Sequence, residues 1–308
     1  EPFLSRCVVP NGKPFADQNI SCRIIHGDAF TTLPLMPHAY ADLAIIDPPY
    51  NMRKNFHGTV FTEKTAQDYH RYTERWLSLL LPVLKPHASL YICADWKTSI
   101  IIADVLGIFA ARRQLYIRNR ITWEREKGRA AARNWKNAHE DIWFVTVDSS
   151  YTFNLEAVKI RKKVVAPYRV NGKPKDWTPD INGNVRITAP SNLWNDISVP
   201  YWSMAENTAH PTQKPEKLLA KLILASSHPD DMVFDPFLGS GTTAVTAQKL
   251  GRRWCGIELN AQYCAWAAWR LERAERDRTI QGYADGTFWE RNSSAAQNTA
   301  RRLLPRND

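Results

Sequence analysis

The residues best suited to chemistry are Asp47-Pro48-Pro49-Tyr50, which close the apolar run Leu43-Ala44-Ile45-Ile46. A short apolar run stopped by two prolines reads as a buried strand that ends abruptly. The prolines remove two N–H donors and hold the backbone extended, so neighbouring carbonyls can face a ligand. Asp47 adds a carboxylate acceptor and Tyr50 a flat aromatic face. Acceptors beside a stacking ring suit a planar group with an exocyclic amine, such as adenine or cytosine. A strand-end turn with a solvated Asp is the plainer reading of the same four residues.

A second constellation lies far downstream. Met232-Val233-Phe234-Asp235 reads as a strand, Pro236-Phe237-Leu238-Gly239-Ser240-Gly241 as a tight turn, and Thr242 onward as an Ala-rich helix ended by Gly251. Arg253-Trp254-Cys255-Gly256-Ile257-Glu258 then reads as another strand closing on an acid. Strand, glycine loop, helix, strand and acid form the plan of a nucleotide-type cofactor site. Glycines let the backbone approach a ligand, and an acid about twenty residues on can accept two ribose hydroxyls. No Gly-Lys-Ser/Thr ending is present, which excludes an NTPase phosphate loop, and the third glycine of the dinucleotide fingerprint is missing, which speaks against a nicotinamide dehydrogenase.

These motifs, in this order, resemble those of the circularly permuted β group of DNA amino-methyltransferases. Within it the chain is most like the N6-adenine-specific enzymes, solitary or restriction-associated. His210-Pro211-Thr212-Gln213-Lys214-Pro215 is a third matching motif, and the likeness spans roughly residues 20 to 275. The resemblance implies S-adenosylmethionine as cofactor, no metal, and methyl transfer to the N6 amine of an adenine flipped out of duplex DNA. Asp47 and the Pro48 carbonyl would accept the amine hydrogens, Pro49 would shape the turn, and Tyr50 would stack on the base. It further places Asp28 near the cofactor's adenine; a helix N-cap is an equally good reading of that residue. Asp235, Pro236, Phe237, Gly239, Ser240, Gly241 and Thr242 would surround the methionine portion. Glu258, with Asn260 beside it, would bind the ribose. Lys214, with His210 and Thr212, would meet the methionine carboxylate; a solvated lysine at a helix start is the alternative. Cytosine-N4 enzymes more often carry Ser where this chain has Asp47, and amide or RNA methyltransferases usually carry Asn. A nucleic-acid-binding protein with a vestigial cofactor fold is the non-enzymatic alternative. Cys93 lacks the Pro-Cys context of cytosine-C5 nucleophiles.

The 308 residues carry 44% hydrophobic and 23% charged side chains, enough for one core with an insertion. A net charge of +10 suits an anionic partner, and double-stranded DNA fits. Cys7, Cys22, Cys93, Cys255 and Cys264 show no Cys-x-x-Cys, so they read as free, buried thiols of a reducing compartment rather than as a metal site or a disulfide frame. No run approaches a membrane span and Glu1-Pro2-Phe3 opens no signal peptide, which together suggest a cytoplasmic, bacterial or phage-encoded protein. Homodimers and a cognate restriction endonuclease are frequent companions of the proteins it resembles.

The elements that must position these residues follow. The fold class expected is α/β, a doubly wound, mostly parallel seven-stranded sheet with an inserted target-recognition region. Residues 20–150 form the catalytic half of the core, 151–208 the insertion, 209–278 the cofactor half and 279–308 a tail. Residues 1–20 read as irregular, and residues 66–84, 100–112, 215–226 and 261–278 as helices. Leu115 to Trp123 and Asp141 to Val147 read as an antiparallel edge pair. Asn51 to Lys64 reads as a loop over the site, with Phe56 or Phe61 free to pack on a base. Basic residues (Lys159, Arg161, Lys162, Lys163, Arg169, Lys173, Lys175) alternate with aromatics (Tyr151, Phe153, Tyr168, Trp177, Trp194, Tyr201, Trp202) in the insertion, the composition of a nucleic-acid surface. Glu124 to Asn137 is a basic loop that could touch phosphates or merely be solvated. The tail from Gln281 reads as poorly ordered or lying along the surface.

Overall fold

A computed structural model describes residues 7–56, 58–125, 132–165, 167–180, 183–200 and 204–291. The expectations for His57, for the middle of the 124–137 basic loop, for Asn182, and for Tyr201 and Trp202 lie outside the described residues, as do those for 1–6 and the tail beyond Arg291.

The chain opens with β1 (Cys7–Val8), α1 (Asp17–Ile20), β2 (Arg23–His26), α2 (Ala29–Thr32) and β3 (Ala41–Ile46). A hairpin of β4 (Lys54–Phe56) and β5 (Thr59–Phe61) follows, then α3 (Ala66–Leu80), β6 (Leu84–Ala94) and α4 (Trp96–Ala111). Next come β7 (Tyr116–Glu124), β8 (His139–Thr146), β9 (Ile160–Lys163), β10 (Arg169–Val170), β11 (Lys173–Pro174), β12 (Thr178–Asp180), β13 (Gly183–Thr188) and β14 (Leu193–Trp194). The last part is α5 (Glu216–Ser226), β15 (Met232–Asp235), α6 (Thr242–Lys249), β16 (Arg253–Glu258), α7 (Ala261–Arg276), β17 (Tyr283–Ala284) and β18 (Thr287–Trp289).

The main sheet has the order β1-β2-β16-β15-β3-β6-β8-β7-β14, so two short edge strands extend the expected seven to nine. Every pairing is parallel except β6–β8 and β8–β7, the antiparallel pair read from sequence. Successive strand residues serve opposite faces, as the pleat requires. Ala44, Ile46, Leu90, Ile92 and Phe234 pack on one side with Trp76, Leu77, Val105 and Phe109 of α3 and α4. Leu43, Ile45, Tyr91 and Val233 pack on the other with Leu222, Val245, Ala267 and Leu271 of α5, α6 and α7.

Neighbours β15 and β3 pair Phe234 with Ala44, and their chains leave in opposite directions, β15 toward β16 and β3 toward β6. This is a topological switch point, where open α/β sheets form their ligand crevice. It brings Asp235 and Asp47, 188 positions apart, to the same sheet end.

Several expectations need correction. Residues 51–64 hold the β4–β5 hairpin rather than only a loop, the helix expected from Ile100 begins at Trp96, and Cys22 is exposed and Cys7 half-buried rather than buried. The described part of the tail, Gln281 to Arg291, is not irregular: β17 and β18 complete a second sheet, ordered β12-β13-β9-β18-β17, with Phe288 opposite Ile160 and fully buried. Residues 1–20 include β1 and α1. Helix α3 stops at Leu80, because Pro82 converts Leu81–Val83 to a 3-10 turn. The second sheet also explains α5, whose apolar stripe read as amphipathic but whose residues are all buried. Ala220, Leu224 and Ala225 meet Val158, Ile160, Ile280 and Phe288 on the side away from the main sheet. The charged residues of α5 are neutralised in place: Lys217 and Lys221 on Asp196 at 2.9 and 2.8 Å, Glu216 on Arg270 and Lys249 at 3.1 and 2.7 Å. Trp177 and Trp194 are buried rather than presented at the surface.

Candidate active site

A cavity of ≈ 320 Å³ opens at the switch point. All of the sequence-predicted site residues line it except Gly241. Asp28, Asp47, Pro48, Pro49 and Tyr50 come from the β2 and β3 ends, His210, Thr212 and Lys214 from the loop before α5. Asp235 to Thr242, Glu258 and Asn260 come from β15, β16 and the turns after them.

The glycine loop divides its labour. Gly239 has φ +56, and a Cβ there would meet the His210 ring at 3.1 Å, so loop backbone and His210 close together along the cavity wall. Gly241 has φ +83, and its Cβ would lie 2.6 Å from the Ala267 Cβ. Gly241 therefore lets α6 pack on α7 and is a packing residue, not a wall residue. Arg270 of α7, unremarked in the sequence, is buried beneath the loop. It donates to the Ser240 carbonyl at 3.0 Å and to Thr242 Oγ1 at 2.9 Å. The signal for it was one arginine on the otherwise apolar face that carries Ala267 and Leu271.

Glu258 accepts from the Gly239 amide at 2.8 Å and the Asn260 amide at 2.7 Å, on different oxygens, and the Leu259 amide also faces it. A carboxylate has about four lone-pair sites, so room remains for a ligand hydroxyl. Burial pushes the Glu258 carboxyl up to about 7, with Asp235 adding to the rise. Asp235 accepts from the Phe237 amide at 2.9 Å and the Thr243 hydroxyl at 2.6 Å, and burial pushes it up to about 7 as well. Asp28 caps α2 through Phe30 N at 2.8 Å, as the N-cap reading expected, and it also lines the cavity. Asn260 caps α7 and donates to the Phe56 carbonyl at 3.2 Å, which ties the β4–β5 hairpin to this rim. Phe56 and Phe61 both line the cavity, and Phe61 packs edge-on to Tyr69 and Tyr72.

The Asp47 end is a charged cluster. Its carboxylate accepts from Lys214 Nζ at 2.6 Å and from the Tyr50 hydroxyl at 3.0 Å. Glu140 of β8, which sequence reasoning missed, lies 3.3 Å from Lys214 and 3.0 Å from the Tyr50 hydroxyl, and pairs behind with Arg125. Glu140 sits in no recognisable motif; its mark is an acid in the buried strand run His139-Glu140-Asp141-Ile142. Enclosure raises Asp47 above its ordinary value, against the pull of Lys214 and with the push of Glu140. Burial also raises Glu140, but Lys214 and Arg125 outweigh it and leave that carboxyl below the ordinary range. Tyr69 donates to the Pro49 carbonyl at 2.9 Å and so fixes the proline turn. Burial drives the Cys93 thiol well above its usual value, unlike a nucleophile's.

With an acid on a proline-stiffened strand end and a glycine loop lining one cavity, the comparison with known families is decisive: the DNA methylase family model matches residues 41–268. The chain belongs to the DNA methylase family. It is 35% identical over 262 residues to the DNA adenine methyltransferase YhdJ of Escherichia coli K12, covering 82% of this chain and 83% of the relative. It is 33% identical over 251 residues to the type II methyltransferase M.HpaI of Haemophilus parainfluenzae, covering 81% of this methylase and 74% of the relative. Among solved structures, the cytosine-N4-specific PvuII DNA methyltransferase shares its fold with a TM-score of 0.60 at 19% identity, over 82% of this chain and 90% of that one. An M1.HpyAVI–SAM complex does so with a TM-score of 0.54 at 24% identity, over 80% and 98%.

Proposed function

We propose that this methylase transfers a methyl group from S-adenosylmethionine to the N6 amine of an adenine flipped out of duplex DNA. The observation that carries the reading is Asp47, held with Tyr50 just past the end of β3 and lining one cavity with the Gly239 loop and Glu258. The relative of 35% identity is by its name an adenine enzyme, and this chain has Asp at the first motif position.

The residues present fit the cofactor. Glu258 offers two oxygens for a diol, and Gly239 leaves the loop backbone bare where a Cβ would strike His210. Bound there, S-adenosylmethionine supplies an electrophilic methyl group. The chain's own part is orientation. An aromatic amine is a poor nucleophile, because its lone pair is spread into the ring. Asp47 and the Pro48 carbonyl accept the amine hydrogens and turn the lone pair toward the cofactor side. Their attraction strengthens as positive charge grows on nitrogen. Alignment in an enclosed cavity supplies much of the rest. Pro49, with its carbonyl bonded by Tyr69, keeps the acceptors in place.

DNA approach fits the exposed cations Lys163, Arg169, Lys173, Lys175 and Arg186 of the second sheet and its hairpin. Among the described residues no helix is long and apolar enough to cross a membrane. A cytoplasmic site of action, a cognate endonuclease and a homodimer belong to the same reading. The type II name of the Haemophilus relative supports the second.

Labelled methyl transfer to unmethylated genomic DNA, with digestion to nucleosides and mass identification, tests it. N6-methyladenine is the expected product. N4-methylcytosine would keep the chemistry and overturn the base. No label in DNA would overturn the substrate.

A further inference from the structure

Lys214 carries a hexapeptide motif whose resemblance assigns it to the methionine carboxylate, yet its ammonium is fully engaged elsewhere. It has three N–H donors. Three acceptors surround it: Asp47 Oδ2 at 2.6 Å, the Tyr50 hydroxyl at 3.0 Å and Glu140 Oε2 at 3.3 Å. Its side chain is 8% exposed, so little water competes with them. No donor is left over for a cofactor carboxylate.

Asp47 shows what this arrangement does. The groups facing it are Lys214 from the loop before α5, Glu140 from β8, Cys93 from β6, Asp235 from β15 and Tyr50 beside it, with Tyr69 on the Pro49 carbonyl and Arg125 behind Glu140. Of these, Lys214 is the one cation that touches it. A carboxyl enclosed among Glu140, Asp235 and a buried thiol gains a proton readily, and a protonated Asp47 would offer a donor where the amine hydrogens need an acceptor.

We propose that Lys214 and Glu140 are positioning residues for methyl transfer: Lys214 keeps Asp47 ionised and turned into the cavity, and Glu140, braced by Arg125, holds Lys214 in place. This rests on the methyltransferase reading above. Glu140 acts in two ways. It orients the ammonium, and as a like charge it opposes ionisation of Asp47. Lys214 therefore sets the sign, and Glu140 tempers it.

The two partners must then move the pH profile in opposite directions. In the purified full chain, kcat is measured against pH with unmethylated duplex DNA and saturating S-adenosylmethionine, and cofactor binding is measured separately by calorimetry without DNA. In Lys214→Met the acid limb of kcat should move up by about 1–3 pH units, the usual effect of an opposite charge at this range. Its cofactor Kd should stay within about threefold, and Lys214→Arg should bring the limb back toward wild type. In Glu140→Gln the amide oxygen can still accept from Lys214 and hold it, while the like charge is removed, so the limb should move down. A Lys214→Met limb at the wild-type pH combined with a cofactor Kd raised tenfold or more would overturn the proposal and return the lysine to the methionine carboxylate. An unmoved limb in Glu140→Gln would overturn it independently, even were the Lys214 variants to fold poorly. Failure of the wild type to methylate DNA at all would overturn the functional reading instead, so the two failures are distinguishable.

Discussion

Gly241→Ala should weaken the fold while leaving cofactor recognition by the folded protein intact. The added methyl would sit 2.6 Å from the Ala267 Cβ and 3.0 Å from its Cα, on a backbone at φ +83. A left-handed conformation costs a non-glycine residue about 1–2 kcal/mol. Overpacking a closed helix interface adds about 1–3 kcal/mol, because the obstructing atoms include backbone that cannot swing aside. The sum is about 2–5 kcal/mol, which in a chain of this size corresponds to roughly 4–10 °C of melting temperature. Gly239→Ala is the natural control. Its Cβ would meet the end of the His210 ring at 3.1 Å, which can give way, but the methyl intrudes on the cavity wall. That variant should melt within about 3 °C of wild type, given only the backbone cost, and bind S-adenosylmethionine at least about tenfold more weakly, the loss of roughly 1.4 kcal/mol. The assay is thermal unfolding by circular dichroism beside calorimetric cofactor titration. Adding Ala267→Gly to Gly241→Ala should recover only part of the loss, since the backbone of residue 267 still crowds the new methyl. A Gly241→Ala protein that melts with wild type, or that loses cofactor affinity while melting normally, would refute the division of roles between the two glycines.

Three further outcomes are expected. Asp47→Ala should abolish methyl transfer while sparing cofactor binding, seen by calorimetry and labelled transfer together, because Lys214 keeps Glu140 as a partner at 3.3 Å. Cofactor affinity should depend on pH with a definite sign: Glu258 sits near 7 in the free protein, and hydroxyl donors favour its ionised form. Affinity should then be full above about 7 and fall as pH drops below it, with proton release measurable in buffers of different ionisation enthalpy. Phe288→Ala should cost about 3–5 kcal/mol in denaturant unfolding, the usual toll of emptying a fully buried aromatic site; a tail merely lying on the surface would lose almost nothing.

The site was legible where chemistry and chain geometry share one short segment. Asp47 to Tyr50 and Asp235 to Thr242 declare both their residue types and their strand-end positions, so their meeting at one cavity followed from the α/β plan. Glu140 was not legible, because its role depends on β8 lying antiparallel between β6 and β7, which sets it beside Tyr50 across 90 positions of sequence. Lys214 was legible as a residue but not in its partner: a helix-start lysine looks the same whether it faces a ligand or a carboxylate. The tail misled because Tyr283 to Trp289 is only seven residues broken by Asp285-Gly286, too short to show a period, and its strands form by pairing with each other and with Ile160 and Arg161. The α5 stripe showed four apolar positions and hid the ion pairs that bury the rest of the helix.

The pairing of β18 with β9 also bears on how this methylase could be re-engineered. A specificity graft would naturally take residues 151–208 as one cassette. Such a graft would carry β9 away from β18, leave the Phe288 seat open, and strip Lys217 and Lys221 of Asp196. The second sheet is assembled from two stretches, one ending at Thr188 and the other starting at Tyr283, so a working chimaera must exchange them together, residues 279–291 travelling with the insertion. If residues 151–208 read the target, the last described strands belong to the same unit through that pairing, with no side chain of theirs required to touch a base.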